Sequence, residues 1–75
     1  MNTVYTRVEQ IIGNVITVNA SNVAYRELAQ VTSTHGTSLA QVIRLEGGRV
    51  FLQVFTGARG IATDAQVRFL GHPMQ

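Results

Sequence analysis

Seventy-five residues, 45% of them hydrophobic and 13% charged, fit one globular domain and exclude a disordered segment. With no cysteine in the chain, a disulfide framework and a cysteine-type zinc site are excluded as well. The formal charge is +2, and the six cations are arginines scattered from Arg7 to Arg68, so they build no basic stripe of the kind that nucleic-acid binders carry.

A chain this short buries only about 60% of the surface its unfolded form exposes. Without staples, its stability must come from tight packing or from partners. No basic stretch followed by an apolar core marks a signal peptide. No apolar run approaches the roughly 20 residues of a membrane helix. The expected location is therefore cytoplasmic.

Along the chain the dominant period is two, the signature of half-buried strands. Val4, Val8 and Ile12 fall on one side of a first strand, with Tyr5, Arg7 and Glu9 opposite. Gly13-Asn14 interrupts the pattern and reads as a bulge or bend that turns a barrel corner. Val15 to Val18 resumes as a short strand. Residues 19–24 are small and polar and read as a loop. Residues 24–30 are the one possible helical stretch, too short to be stable alone; a third strand over residues 28–34 is preferred. Thr34-His35-Gly36-Thr37 is a turn, with Gly36 free to take positive φ.

Residues 39–46 and 49–55 are the clearest strands, joined by Gly47-Gly48, a strong two-residue hairpin signal. A two-residue turn sets Glu46 opposite Arg49, Leu45 opposite Val50, Arg44 opposite Phe51 and Ile43 opposite Leu52. Ile43, Leu45, Val50, Leu52 and Val54 then form an inner face. The outer face carries a Glu46–Arg49 ion pair and an Arg44–Phe51 stack, each worth roughly 0.2–1 kcal/mol. Phe51 and Phe55 make the second strand apolar on both sides, and such a strand is covered on both sides. Residues 56–61 form a loop that includes Arg59, and residues 66–70 form the last strand, stopped by Gly71-His72-Pro73. Six short strands with turn signals between them predict an all-β fold, a small closed six-stranded β-barrel occupying residues 1–75 as one domain.

The chemical inventory is thin. His35 lies in a turn and His72 beside a proline; both read as solvated residues, and zinc needs three or four converging ligands. Glu9, Glu27, Glu46 and Asp64 stand singly, so no carboxylate pair is formed. Gly57-Ala58-Arg59-Gly60 has no Lys-Ser/Thr after it and no helix, and is therefore a strand connection, not a phosphate loop. Catalytic, cofactor and metal residues are all expected to be none. The candidate site is an interface made by Phe51, Phe55, Arg44 and Arg59. The same Arg44–Phe51 surface could instead stack single-stranded nucleic acid, which leaves a free-standing nucleic-acid-binding barrel as the alternative.

The end of the chain adds a resemblance. Val67-Arg68-Phe69-Leu70-Gly71-His72-Pro73-Met74-Gln75 resembles the segment that closes the N-terminal barrel of the B subunit of V-type and archaeal-type rotary ATPases. Tyr5-Thr6, Ile11-Ile12-Gly13, Tyr25-Arg26-Glu27-Leu28, Gln41-Val42-Ile43, Val50 to Phe55, Gly57 and Gly60-Ile61 resemble the same family in the same order. In the related barrel of the catalytic A subunit the closing segment more usually reads Arg-Thr-Gly. Phe69 to Pro73 therefore favours the regulatory, non-catalytic B subunit.

The resemblance implies the first part of a longer chain, continuing into a nucleotide-binding-type domain and a helical domain. It implies a collar role, with barrels of A and B subunits alternating in a ring that holds the hexameric head together during ATP-driven or ATP-producing ion transport. Its implied partners are catalytic A subunits, with no nucleic acid and no direct membrane contact. Its implied location is the soluble head, peripheral to the membrane.

Overall fold

In the computed structural model, residues 5–34, 36–55, 61 and 64–73 are described. Six strands succeed one another: β1 (Tyr5–Ile12), β2 (Val15–Asn19), β3 (Glu27–Ser33), β4 (Gly36–Glu46), β5 (Arg49–Val54) and β6 (Gln66–Pro73). All neighbours are antiparallel. The order β1-β2-β5-β4-β3-β6 closes into a barrel, because β6 pairs back onto β1. Closure pairs the two strands that would otherwise be open edges. The predicted fold class is the observed one.

Glycine-bearing turns set two of the hairpins. Gly47 and Gly48 both have positive φ (52° and 89°), the backbone of a type I′ turn, whose twist matches that of the flanking strands. Gly13 (φ 59°) and Asn14 likewise form a two-residue turn, with Ile12 facing Val15. The bulge or bend expected at Gly13-Asn14 is thus the hairpin turn between β1 and β2.

The core is built from rows of inward residues that cross strands. Val8, Val18 and Val50 are in register, as are Ile16, Leu52 and Val42, then Ala29, Ala40 and Val54. All nine are buried. β-Branched side chains suit this pleated surface, and the alanines leave space for neighbours in a narrow barrel.

Two bulges change the predicted inside and outside. The β4–β5 register holds for Glu46↔Arg49, Leu45↔Val50 and Arg44↔Phe51, then shifts between Val42 and Arg44, so that Leu52 faces Val42. Ile43 is the extra residue of a β-bulge and is 38% exposed, not part of the inner face. Leu45 faces buried Val50, but it sits next to the turn at the barrel's end and is also exposed. Val50, Leu52 and Val54 are buried as expected.

A second shift lies between Val8 and Gln10. It puts Ile12 out of phase with Val8, and Ile12 is 66% exposed while Ile11 packs against the core. Two strand ends also differ from expectation. β4 begins at Gly36, and β6 continues through Gly71 and His72 to Pro73, its last residue. Val4 and His35 lie outside the described residues, as do residues 56–60 of the predicted loop.

Candidate functional site

Successive residues of a strand point to opposite sides. Between inward Val50, Leu52 and Val54, therefore, stand outward Arg49, Phe51, Gln53 and Phe55 on β5 and its end. On β4 the register sets Glu46 beside Arg49, Arg44 beside Phe51 and Gln41 beside Gln53. Leu39 comes next to Phe55, whose N–H donates to the Leu39 carbonyl (3.0 Å).

The predicted Arg44–Phe51 stack is present. The Arg44 guanidinium carbon lies 5.5 Å from the centroid of the ring, within cation–π range. The predicted Glu46–Arg49 ion pair is replaced by one within β4, in which Arg44 donates to the Glu46 carboxylate. Arg44 and Glu46 project from the same side of one strand, so a single guanidinium serves both the ring and the carboxylate. Both partners are more than half exposed, which limits such a pair to about 0–1 kcal/mol.

Phe51 is half-buried. It is in register with Thr17 of β2, which is buried although its neighbours Ile16 and Val18 take the inward positions. Phe51 is the large side chain beside it on that face. Phe55 is 44% exposed and has exposed Leu39 as its cross-strand neighbour. The Gln41–Gln53 row separates the two phenylalanines. The face therefore carries two apolar positions, one capped by Arg44 and one open. Arg59 lies outside the described residues.

Among the described residues, no group of three or more His, Cys, Asp or Glu could hold a metal ion. A depression of about 300 Å³ lies at the barrel end, between residues 20–23 and 45–50. Glu46 is its sole carboxylate and no histidine lines it, so it brings together no acid–base pair. No helix among the described residues is long and apolar enough to cross a membrane.

Sequence reasoning missed Glu27, which it placed as one of several single acids. Glu27 is buried and its carboxylate accepts from the N–H groups of Ala24 and Gly71. The Ala24 bond spans three residues, but no local pattern marks the Gly71 bond, because Gly71 is brought to Glu27 only by the β3–β6 pairing.

The sequence profile of the ATP synthase alpha/beta family, beta-barrel domain, matches residues 8–71. The V-type ATP synthase beta chain of Borrelia turicatae is 56% identical over 75 residues, covering 100% of this chain and 17% of that protein. That of Treponema denticola is 55% identical over the same span and shares. The V-type ATP synthase beta chain 1 of Treponema pallidum is 56% identical over 71 residues, 95% of this chain and 16% of that protein. The chain thus spans about one sixth of the length of these curated relatives. With the matched region running through all six strands of the closed barrel, the chain belongs to the ATP synthase alpha/beta family, as its beta-barrel domain.

Proposed function

We propose that this domain is the N-terminal barrel of the regulatory, non-catalytic B subunit of a V-type ATP synthase. There it joins the barrels of catalytic A subunits in a collar that holds the alternating hexamer together. The observation that carries this reading is the likeness to V-type ATP synthase beta chains along the full length of the chain. The domain itself does no chemistry and holds no cofactor; it aligns subunits that bind nucleotide elsewhere. It works in the cytoplasm, in the soluble head, without touching the membrane.

The fold supports an assembly role through side chains. A closed barrel offers no free strand edge, so a neighbour cannot add a strand. Contact must be made through outward faces, and the Leu39–Phe55 pair with the Arg44–Phe51 pair is the apolar and aromatic part of one such face. Aromatic and arginine side chains are the types enriched at interface centres.

The test is to change Phe51 and Phe55 to Ser, singly and together, in the full-length subunit, and to follow hexamer formation with A subunits by native mass spectrometry. Phe55→Ser should weaken assembly more than Phe51→Ser, because Phe51 is already half covered within the barrel. Hexamers of unchanged stability from a folded double variant would rule out this face.

A further inference from the structure

Glu27 is a charged side chain that is nevertheless buried, 6% exposed. A carboxylate withdrawn from water must be hydrogen-bonded. Here each oxygen is used separately. Oε1 accepts from the Ala24 N–H (2.9 Å) and Oε2 from the Gly71 N–H (2.7 Å). Bonds from backbone N–H to an ionised acceptor are among the stronger ones.

The two donors belong to different parts of the fold. Ala24 lies in the loop between β2 and β3, and that loop is fastened further. The Arg26 N–H donates to the Val42 carbonyl (3.0 Å), and Gln41 Nε2 donates to the Arg26 carbonyl (3.2 Å). Arg26 itself has φ 71°, a conformation that a non-glycine residue adopts only when its surroundings hold it there.

Gly71 lies where β6 leaves the barrel. Glu27 is in register with Pro73 and Ala29 with Phe69, so two residue steps on β3 answer four on β6. Residues 70–72 bulge out opposite Leu28. Gly71, at φ 84°, has no register partner on β3, and the Glu27 side chain supplies the acceptor that the ladder does not.

We infer that Glu27 is a clamp that ties the exit of β6 to the 20–26 loop and thereby fixes the course of the chain as it leaves the barrel. It is a positioning residue for the polypeptide after residue 73. The clamp itself stands on the geometry above; its effect on a succeeding domain rests on the reading that the barrel opens a longer subunit.

The experiment uses the full-length subunit and the variants Glu27→Ala and Glu27→Gln. Amide exchange is read by mass spectrometry on peptides that resolve the Ala24 and Gly71 amides, with the Val50 and Leu52 amides as core reference. In the unaltered subunit both Glu27-bonded amides should be protected. Glu27→Ala should speed their exchange roughly 10- to 100-fold, the factor set by losing a hydrogen bond to a charged group, while the core amides stay slow. Glu27→Gln keeps one acceptor oxygen and should release one of the two amides.

A spin label at Gln66→Cys, an exposed position on β6, and another in the succeeding domain report the course of the chain. Their distance distribution should broaden in Glu27→Ala. Unprotected Gly71 and Ala24 amides in the unaltered subunit would overturn the clamp, whether or not the alanine variant folds. Freed amides with an unchanged distance distribution would overturn its control of the exit. Amides that stay protected in Glu27→Ala would overturn the clamp as well, whereas an unaltered subunit that fails to assemble with A subunits while both amides are protected would count against the proposed collar role and leave the clamp standing.

Discussion

The inner face is best tested by one pair of substitutions on either side of the β4 bulge. Leu52 is 0% exposed and lies in register between Ile16 and Val42. Truncation to Ala removes methyl groups from a closed core and leaves a cavity, at a cost of about 2–5 kcal/mol. A domain of this size has a total stability of roughly 4–11 kcal/mol, so the change consumes a large part of it. At about 4–8 °C per kcal/mol, a loss of about 3 kcal/mol lowers Tm by about 12–24 °C. Ile43 stands at the bulge with much of its surface already in water, and Ile43→Ala should cost about 1 kcal/mol. Urea melts monitored by far-UV circular dichroism give both values, with an unchanged m value showing that the denatured state is the same. If Ile43→Ala is as costly as Leu52→Ala, or if Leu52→Ala costs under about 1 kcal/mol, the bulged register is refuted.

Gly48→Ala should cost about 1–2 kcal/mol in the same melts. A Cβ there meets nothing within 4 Å, so the whole penalty comes from its positive φ of 89°; a neutral substitution would show that the turn changes type at little cost. Calorimetric titration of the chain with magnesium–ATP should give no heat above dilution. The described residues bring together no group of three or more His, Asp or Glu to hold the magnesium, and the chain has no phosphate loop and no lysine to hold the nucleotide. Saturable micromolar binding would sink the purely supporting role.

The strands and the β4–β5 turn are legible because their signals are local. Alternation over a few residues marks a strand, and Gly-Gly between two such runs marks a type I′ turn. The first three pairs from Gly47-Gly48 derive from that turn alone. Register is lost where the chain inserts one residue. At both bulges an apolar pair adjoins the shift, Ile11-Ile12 after one and Val42-Ile43 at the other. Two adjacent apolar residues fit either phase of a period-two pattern, so composition does not say which one faces in. In both cases the partner strand decides, and that information is not local. The run to Pro73 is hidden for a related reason. Proline ends a ladder, but it can still be the last residue in register, as here against Glu27.

The candidate interface shows the same division between local and long-range information. Alternation correctly puts Phe51 and Phe55 outside, and the hairpin register correctly puts Arg44 on Phe51. The surface those residues have left for a partner depends on neighbours that the hairpin does not contain. Phe51 shares its row with Thr17 of β2, Arg44 covers its ring, and it is already half-buried, so less of its surface remains to be withdrawn from water than at Phe55. Phe55 and Leu39 are both exposed beyond a third of their surface. Burial stabilises by about 25 cal/mol per Å² of apolar area removed from water, so a partner gains more at the Leu39–Phe55 end of the face. At the Arg44–Phe51 end the guanidinium is already paired with the Glu46 carboxylate, so that end presents a ring beside an ion pair and has less apolar area to withdraw from water. On the proposed collar reading the Leu39–Phe55 end therefore supplies most of the affinity, which is why Phe55→Ser is expected to weaken assembly more than Phe51→Ser.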